Sequence, residues 1–166
     1  KDLSGLPEGV VAAAADAAKE AGMEGKWVFT LHNPSIMPFL QYADNRDLRE
    51  QIYKAYINRG SNKNANNNWD NISKMVSLRA EKAHLLGFPD YASYVIDNNM
   101  AKTTDNVYKL CNQIWEAALP NAKAEAAELQ KMINREGGKF KLAPWDWRYY
   151  SEKLKKEKYG LDQTEI

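Results

Sequence analysis

Glycine punctuates this sequence at positions 22, 60, 87, 137–138 and 160, and each of these closes a stretch whose apolar residues recur at helical spacing. Glycine reaches the left-handed conformation that ends a helix without steric cost, so the pattern commits most of the chain to α-helices. Pro7 and Gly22 bracket an alanine-rich first helix over about Pro7 to Ala21, the expected placement of proline at the start and glycine past the end. Ser35 is placed as the cap of a short helix to about Tyr42, with Pro38 in its first turn. Asp44 or Asn45 then caps a helix whose Leu48, Ile52, Ala55 and Tyr56 form one stripe, with Glu50 and Lys54 paired outside. Asp70 opens the next helix, where Ile72, Met75, Val76, Ala83 and Leu86 keep helical spacing. Pro89 and Asp90 restart the chain into Tyr91 to Asn98. The longest helix starts at Thr103 or Thr104 and carries Val107, Leu110, Cys111, Ile114, Trp115 and Ala118 on one face. Pro120 predicts a kink or break within it, because proline removes one backbone hydrogen bond. A last helix runs over about Pro144 to Tyr159.

Two stretches are not helical. Lys26 to Leu31 alternates at period two and is predicted as one short strand, with its partner elsewhere. Residues 61–68 are polar and asparagine-rich, too poor in apolar surface to order themselves, and are read as a flexible loop within a single helical domain over 1–166.

The chain has 23 basic and 22 acidic residues, so a net charge of +1 supplies no field for gripping nucleic acid. No apolar run approaches the roughly 18–20 residues of a membrane helix, so no membrane partner is expected. One cysteine, Cys111, can make neither an intrachain disulfide nor a C-x-x-C site. Its place on an apolar stripe reads as a buried, inert thiol, which fits a reducing compartment. A cytoplasmic location is the expectation, with export left open by a sequence that begins at Lys1. Asp162 to Glu165 reads as the start of a capping box, as if the chain were excised from a longer polypeptide just where a helix begins.

Groups able to do chemistry are sparse. The two histidines, His32 and His84, stand far apart, whereas a zinc-protease helix needs two imidazoles one turn apart with a glutamate between. Glycine-rich phosphate loops are absent as well. The unusual run is Pro144-Trp145-Asp146-Trp147-Arg148-Tyr149-Tyr150, where aromatics on both helix faces imply burial on two sides. A helix wedged between neighbours explains it, and a ligand channel with Asp146 and Arg148 as polar handles is the alternative. Arg46 reads as an ion-pair hub.

Ordered motifs then carry a resemblance. Gly25 to Leu31 (G-K-W-V-F-T-L), Pro38 to Glu50 (P-F-L-Q-Y-A-D-N-R-D-L-R-E), Arg79 to Tyr94 (R-A-E-K-A-H-L-L-G-F-P-D-Y-A-S-Y) and Trp145 to Lys153 (W-D-W-R-Y-Y-S-E-K) resemble the thimet oligopeptidase and neurolysin family of zinc metallopeptidases, family M3. Within that family the sequence most resembles the bacterial peptidyl-dipeptidase branch. The resemblance implies a mainly α, multi-helix piece of a larger two-lobed helical peptidase with a channel for short peptides. It also implies zinc in the parent protein, held by H-E-x-x-H and a further glutamate downstream of Ile166. On this reading the chain itself carries no catalytic or metal residue and binds no cofactor. Arg46, Trp145, Asp146, Tyr149 and Tyr150 are expected as wall or support of the channel. The expected partners are short peptides and the remainder of the same polypeptide. The alternative is a stand-alone helical interaction module without enzymatic activity.

Overall fold

A computed structural model describes residues 2–161, and the described residues form seven α-helices. They are α1 (Glu8–Glu20), α2 (Asn33–Tyr42), α3 (Arg46–Ile57), α4 (Trp69–Leu85), α5 (Tyr91–Ile96), α6 (Thr104–Arg135) and α7 (Pro144–Tyr159). The capping box expected at Asp162 to Glu165 lies outside the described residues. No described helix is long and apolar enough to cross a membrane.

Helix ends follow the glycine and proline signals. Gly22, Gly60, Gly87, Gly137 and Gly160 all take positive φ just beyond a helix. Asn45 caps α3 by accepting the Leu48 N–H at 3.2 Å, and Asp90 caps α5 by accepting the Ser93 N–H at 2.8 Å. Some details differ from the expectation. Helix α2 starts at Asn33 rather than after Ser35, because Pro34 suits the first turn, while the Ser35 hydroxyl accepts the Thr30 N–H at 2.9 Å. Helix α4 starts at Trp69, so Asp70 sits inside the first turn and Asn68 occupies the cap. Helix α6 runs unbroken through Pro120.

The predicted strand is not formed. Residues 27–30 are irregular, with bends at Lys26 and Leu31, and no second strand exists among the described residues to pair with them. Their backbone turns to helices instead, and the Val28 N–H donates to the Ala14 carbonyl of α1 at 2.9 Å.

The chain divides into two compact units. One combines residues up to Asn58 with those from Glu125 onward; the other is Arg59–Ala124. In the first, α2 packs on α1, α3 and α7. Its core takes Ala14 and Ala18 from α1, Ile36, Phe39 and Leu40 from α2, and Leu129, Met132 and Ile133 from the end of α6. Tyr149 and Tyr150 of α7 join it, with burial of each large apolar side chain contributing roughly 1.5–3 kcal/mol relative to exposure. The α3 stripe does not join this core. Leu48, Ile52 and Ala55 line an open apolar cavity of about 710 Å³ together with Trp27, Phe29 and Phe39.

In the second unit α4 packs on α5, and Ala83 is its only fully buried apolar residue. The stripes read as core are therefore largely bare: Ile72, Met75 and Val76 on α4, and Leu110, Ile114 and Trp115 on α6, are exposed. Cys111, expected to be buried, is exposed as well. Between α3 and α4 the asparagines bond among themselves, with the Asn67 side chain donating to the Asn62 carbonyl and accepting the Trp69 N–H, both at 2.8 Å.

Candidate functional site

The buried charged groups of the first unit, Arg49 and Asp146, meet at one carboxylate. Asp146 occupies the third position of α7, and its Oδ2 accepts the Ala143 N–H at 3.1 Å, which caps the helix start. That position sends the side chain down toward the corner where α2 meets α3. There, Ala43 and Asp44 turn the chain, and Asn45 starts α3 with Arg46 and Arg49 one turn apart on the face toward α7.

Both guanidinium groups converge on Asp146. Arg46 Nε donates to Oδ1 at 3.0 Å and to Oδ2 at 3.2 Å, and its Nη2 donates to Oδ2 at 2.9 Å. Arg49 Nη2 donates to Oδ1 at 3.0 Å. The Asp146 side chain is 0% exposed, Arg49 1% and Arg46 28%. Arg49 spends its other donors on backbone: Nη1 reaches the Ala43 carbonyl at 2.7 Å and the Asp44 carbonyl at 3.2 Å, and Nε reaches the Trp145 carbonyl at 3.2 Å. One side chain thus satisfies the end of α2, the α2–α3 turn and the start of α7. Aromatic faces enclose the cations. Arg46 lies 4.2 Å from the centre of the Phe140 ring and 5.4 Å from that of Trp145, and Arg49 lies 4.0 Å from that of Tyr149.

A second polar chain runs beside the first. The Tyr149 hydroxyl donates to Asp44 Oδ1 at 2.8 Å, and the Ser4 hydroxyl donates to Asp44 Oδ2 at 2.6 Å. The serine bond, the tyrosine bond and the charges of Lys153 and Arg49 hold the Asp44 carboxyl below its ordinary range against the opposing effect of partial burial. Burial, and then the neighbouring Asp44 carboxylate, push the Tyr149 phenol well above its ordinary value. Tyr150 is also raised, first by burial and then by Glu136. Neither phenol is a source of protons near neutral pH.

The arrangement can hold helices together; it offers little to a substrate. Both oxygens of Asp146 are engaged by arginine and backbone donors, so this carboxylate has no free lone pair poised as a base or metal ligand. Among the described residues no three His, Cys, Asp or Glu side chains come together as a metal-holding group. His84 instead places Nε2 3.0 Å from the Pro89 carbonyl at the end of α4.

All five residues singled out from sequence fall in this cluster, with different surroundings. Arg46 and Asp146 form the ion pair, and Trp145 stacks near Arg46 with its indole N–H buried and without an acceptor among the described residues. Tyr149 and Tyr150 meet edge to face at 5.1 Å in the core. Burial of α7 on two sides holds for Asp146, Tyr149 and Tyr150, whereas Trp147 is 37% exposed beside an open cavity. Sequence pattern alone does not mark Arg49, although its spacing from Tyr53 and Tyr56, one and two turns on, is a helical one.

Residues 39–166 match the family model described as Peptidase family M3. A dipeptidyl carboxypeptidase of Escherichia coli is 37% identical over 164 residues, covering 99% of this chain and 24% of that protein. An oligopeptidase A of Haemophilus influenzae is 37% identical over 169 residues, covering 99% of this chain and 25% of that protein. A probable cytosolic oligopeptidase A of Arabidopsis thaliana is 33% identical over 174 residues, covering 100% and 24%. The chain thus spans about a quarter of the length of these curated relatives.

Proposed function

The chain belongs to peptidase family M3, and on that premise we propose that it is a non-catalytic helical portion of a zinc-dependent oligopeptidase of the peptidyl-dipeptidase type. The parent protein hydrolyses short peptides, is two-lobed, and holds its zinc on residues outside this chain. The observation that carries the reading is the occupation of Asp146. The buried carboxylate in the family-like Trp145 to Lys153 stretch spends both oxygens on Arg46, Arg49 and the Ala143 N–H. Such a group ties α2 and α3 to α7. Arg46, Trp145, Asp146, Tyr149 and Tyr150 act as support behind a channel wall by fixing that helix corner. The peptidase names of the relatives favour this over a free-standing interaction module, which no observation favours.

The test is a hydrolysis assay on the chain alone, with a quenched fluorescent peptide, added zinc and a chelator control. No metal-dependent turnover is expected. Zinc-dependent, chelator-sensitive cleavage by this chain would refute the non-catalytic assignment.

A further inference from the structure

The Arg59–Ala124 unit carries a basic groove that nothing in the Asp146 cluster uses. Helix α4 presents Asn71, Lys74, Met75, Leu78, Arg79 and Lys82 along one side, and with Tyr91 of α5 these line a cavity of about 440 Å³. At 3.6 residues per turn, this side is centred roughly 100° around the helix from Ile72, Val76 and Ala83, and it meets the apolar stripe at Met75, which belongs to both. No carboxylate lines it.

The three cations are unpaired in an informative way. Among the described residues none of Lys74, Arg79 and Lys82 forms an ion pair with a carboxylate. Two of them rest against aromatic rings instead, Arg79 5.2 Å from the centre of Tyr91 and Lys82 5.0 Å from that of Tyr94. An exposed contact of this kind is weak and leaves most of the charge free for a ligand. The closest carboxylate in sequence to Tyr91 is Asp90, whose oxygens take the Ser93 N–H and hydroxyl at 2.8 and 3.2 Å. Between the cations, Met75 and Leu78 are 44% and 55% exposed, which supplies an apolar floor.

We propose that this groove binds an acidic peptide segment carrying an apolar side chain between its carboxylates. Charge complementarity selects the occupant: three unpaired cations and no acid in the lining favour carboxylates, and the apolar floor favours a side chain between them. The spacing fits a peptide. Lys74 and Lys82 stand about 12 Å apart along the helix axis at 1.5 Å per residue. An extended peptide covers that distance in about four residues. The inference stands apart from the hydrolytic reading, since it needs no catalytic activity.

Fluorescence anisotropy with labelled Ac-Glu-Leu-Glu-Glu-NH2 and its glutamine analogue tests it on the full chain. The acidic peptide binds saturably, the glutamine analogue at least about tenfold more weakly, and rising salt weakens the first and not the second. The double variant Lys74→Glu/Lys82→Glu, checked by circular dichroism for unchanged helicity, loses at least about tenfold and gains affinity for Ac-Lys-Leu-Lys-Lys-NH2. Equal binding of the two peptides, or unchanged binding by the variant, overturns the proposal. Two other occupants would overturn it too: a dimer of the chain that the variant abolishes, or heparin binding that the acidic peptide cannot displace.

Discussion

Replacing Asp146 with asparagine keeps the shape of the side chain and removes the charge on which two arginines converge. The variant retains an acceptor oxygen, but Arg49, 1% exposed, then carries a buried charge with no counter-ion. Removing one partner of a buried ion pair costs about 3–5 kcal/mol. Arg49 keeps its bonds to the Ala43, Asp44 and Trp145 carbonyls, so part of its desolvation remains offset, and the expected cost lies near the lower figure, about 3 kcal/mol. Urea unfolding followed by circular dichroism reads this directly. With a slope of about 2 kcal/mol per molar, the midpoint falls by about 1.5 M. Arg46→Met, at a site 28% exposed, falls by less than half as much. The double variant Arg49→Met/Asp146→Leu recovers only part of the loss: the buried Arg49 charge is gone, but Arg46 loses its partner and the Ala43, Asp44 and Trp145 carbonyls lose a donor. A midpoint shift under about 0.5 M for Asp146→Asn, or a larger loss for Arg46→Met, would refute the account of Asp146 as the anchor of this corner.

Other outcomes follow from single features. Gly5 has φ +85°, and a Cβ there would stand 2.2 Å from the Tyr42 carbonyl oxygen, so Gly5→Ala should cost about 1–3 kcal/mol in the same unfolding experiment. No loss would mean that the segment before α1 does not bind the α2–α3 corner. The Asp44 carboxyl is held below its ordinary value of 3.8, so its contribution is present above that pH and lost as pH falls through the lower folded value. Tyr149 is held above its ordinary value of 10.0, so its contribution is present below that pH and lost as pH rises beyond it. Tyr149→Phe should flatten the alkaline side of the stability profile, and an unchanged profile would sink the coupling. Cys111 should react with a thiol reagent in the folded chain without urea, whereas protection until urea is added would contradict its exposure.

The helices were legible in the sequence because their stop signals are local. Glycine and proline act on the backbone within one turn, and neither needs a distant partner, so Gly22, Gly60, Gly87, Gly137 and Gly160 mark helix ends in sequence and structure alike. That Lys26 to Leu31 forms no strand was not legible for the opposite reason. Alternation there is compatible with a strand, but the ladder that would make it one depends on a second segment. Arg49 escaped for a related cause. By itself a guanidinium reads as surface, and it becomes core only through Asp146, 97 residues further along the chain. Arg46 was visible as an ion-pair hub because it sits in a helix start that Asn45 already explains, leaving its charge without a local purpose.

The stripes of α4 and α6 carry a further lesson about what periodicity measures. Helical spacing of Ile72, Met75 and Val76, or of Leu110, Ile114 and Trp115, identifies a face suited to burial without specifying what buries it. In the first unit the cover lies within the chain, and Leu129, Met132 and Ile133 meet Tyr149 and Tyr150. In the second the same spacing ends in exposed side chains. Isolated, such faces disfavour a monomer, since contiguous apolar patches of several hundred Å² are uncommon on soluble chains. A chain that spans about a quarter of its relatives' length accounts for the contrast if the remaining polypeptide supplies the cover. The contrast in burial is thus one of cover rather than of spacing: the α6 end meets α7, whereas Ile72, Val76, Leu110, Ile114 and Trp115 meet solvent.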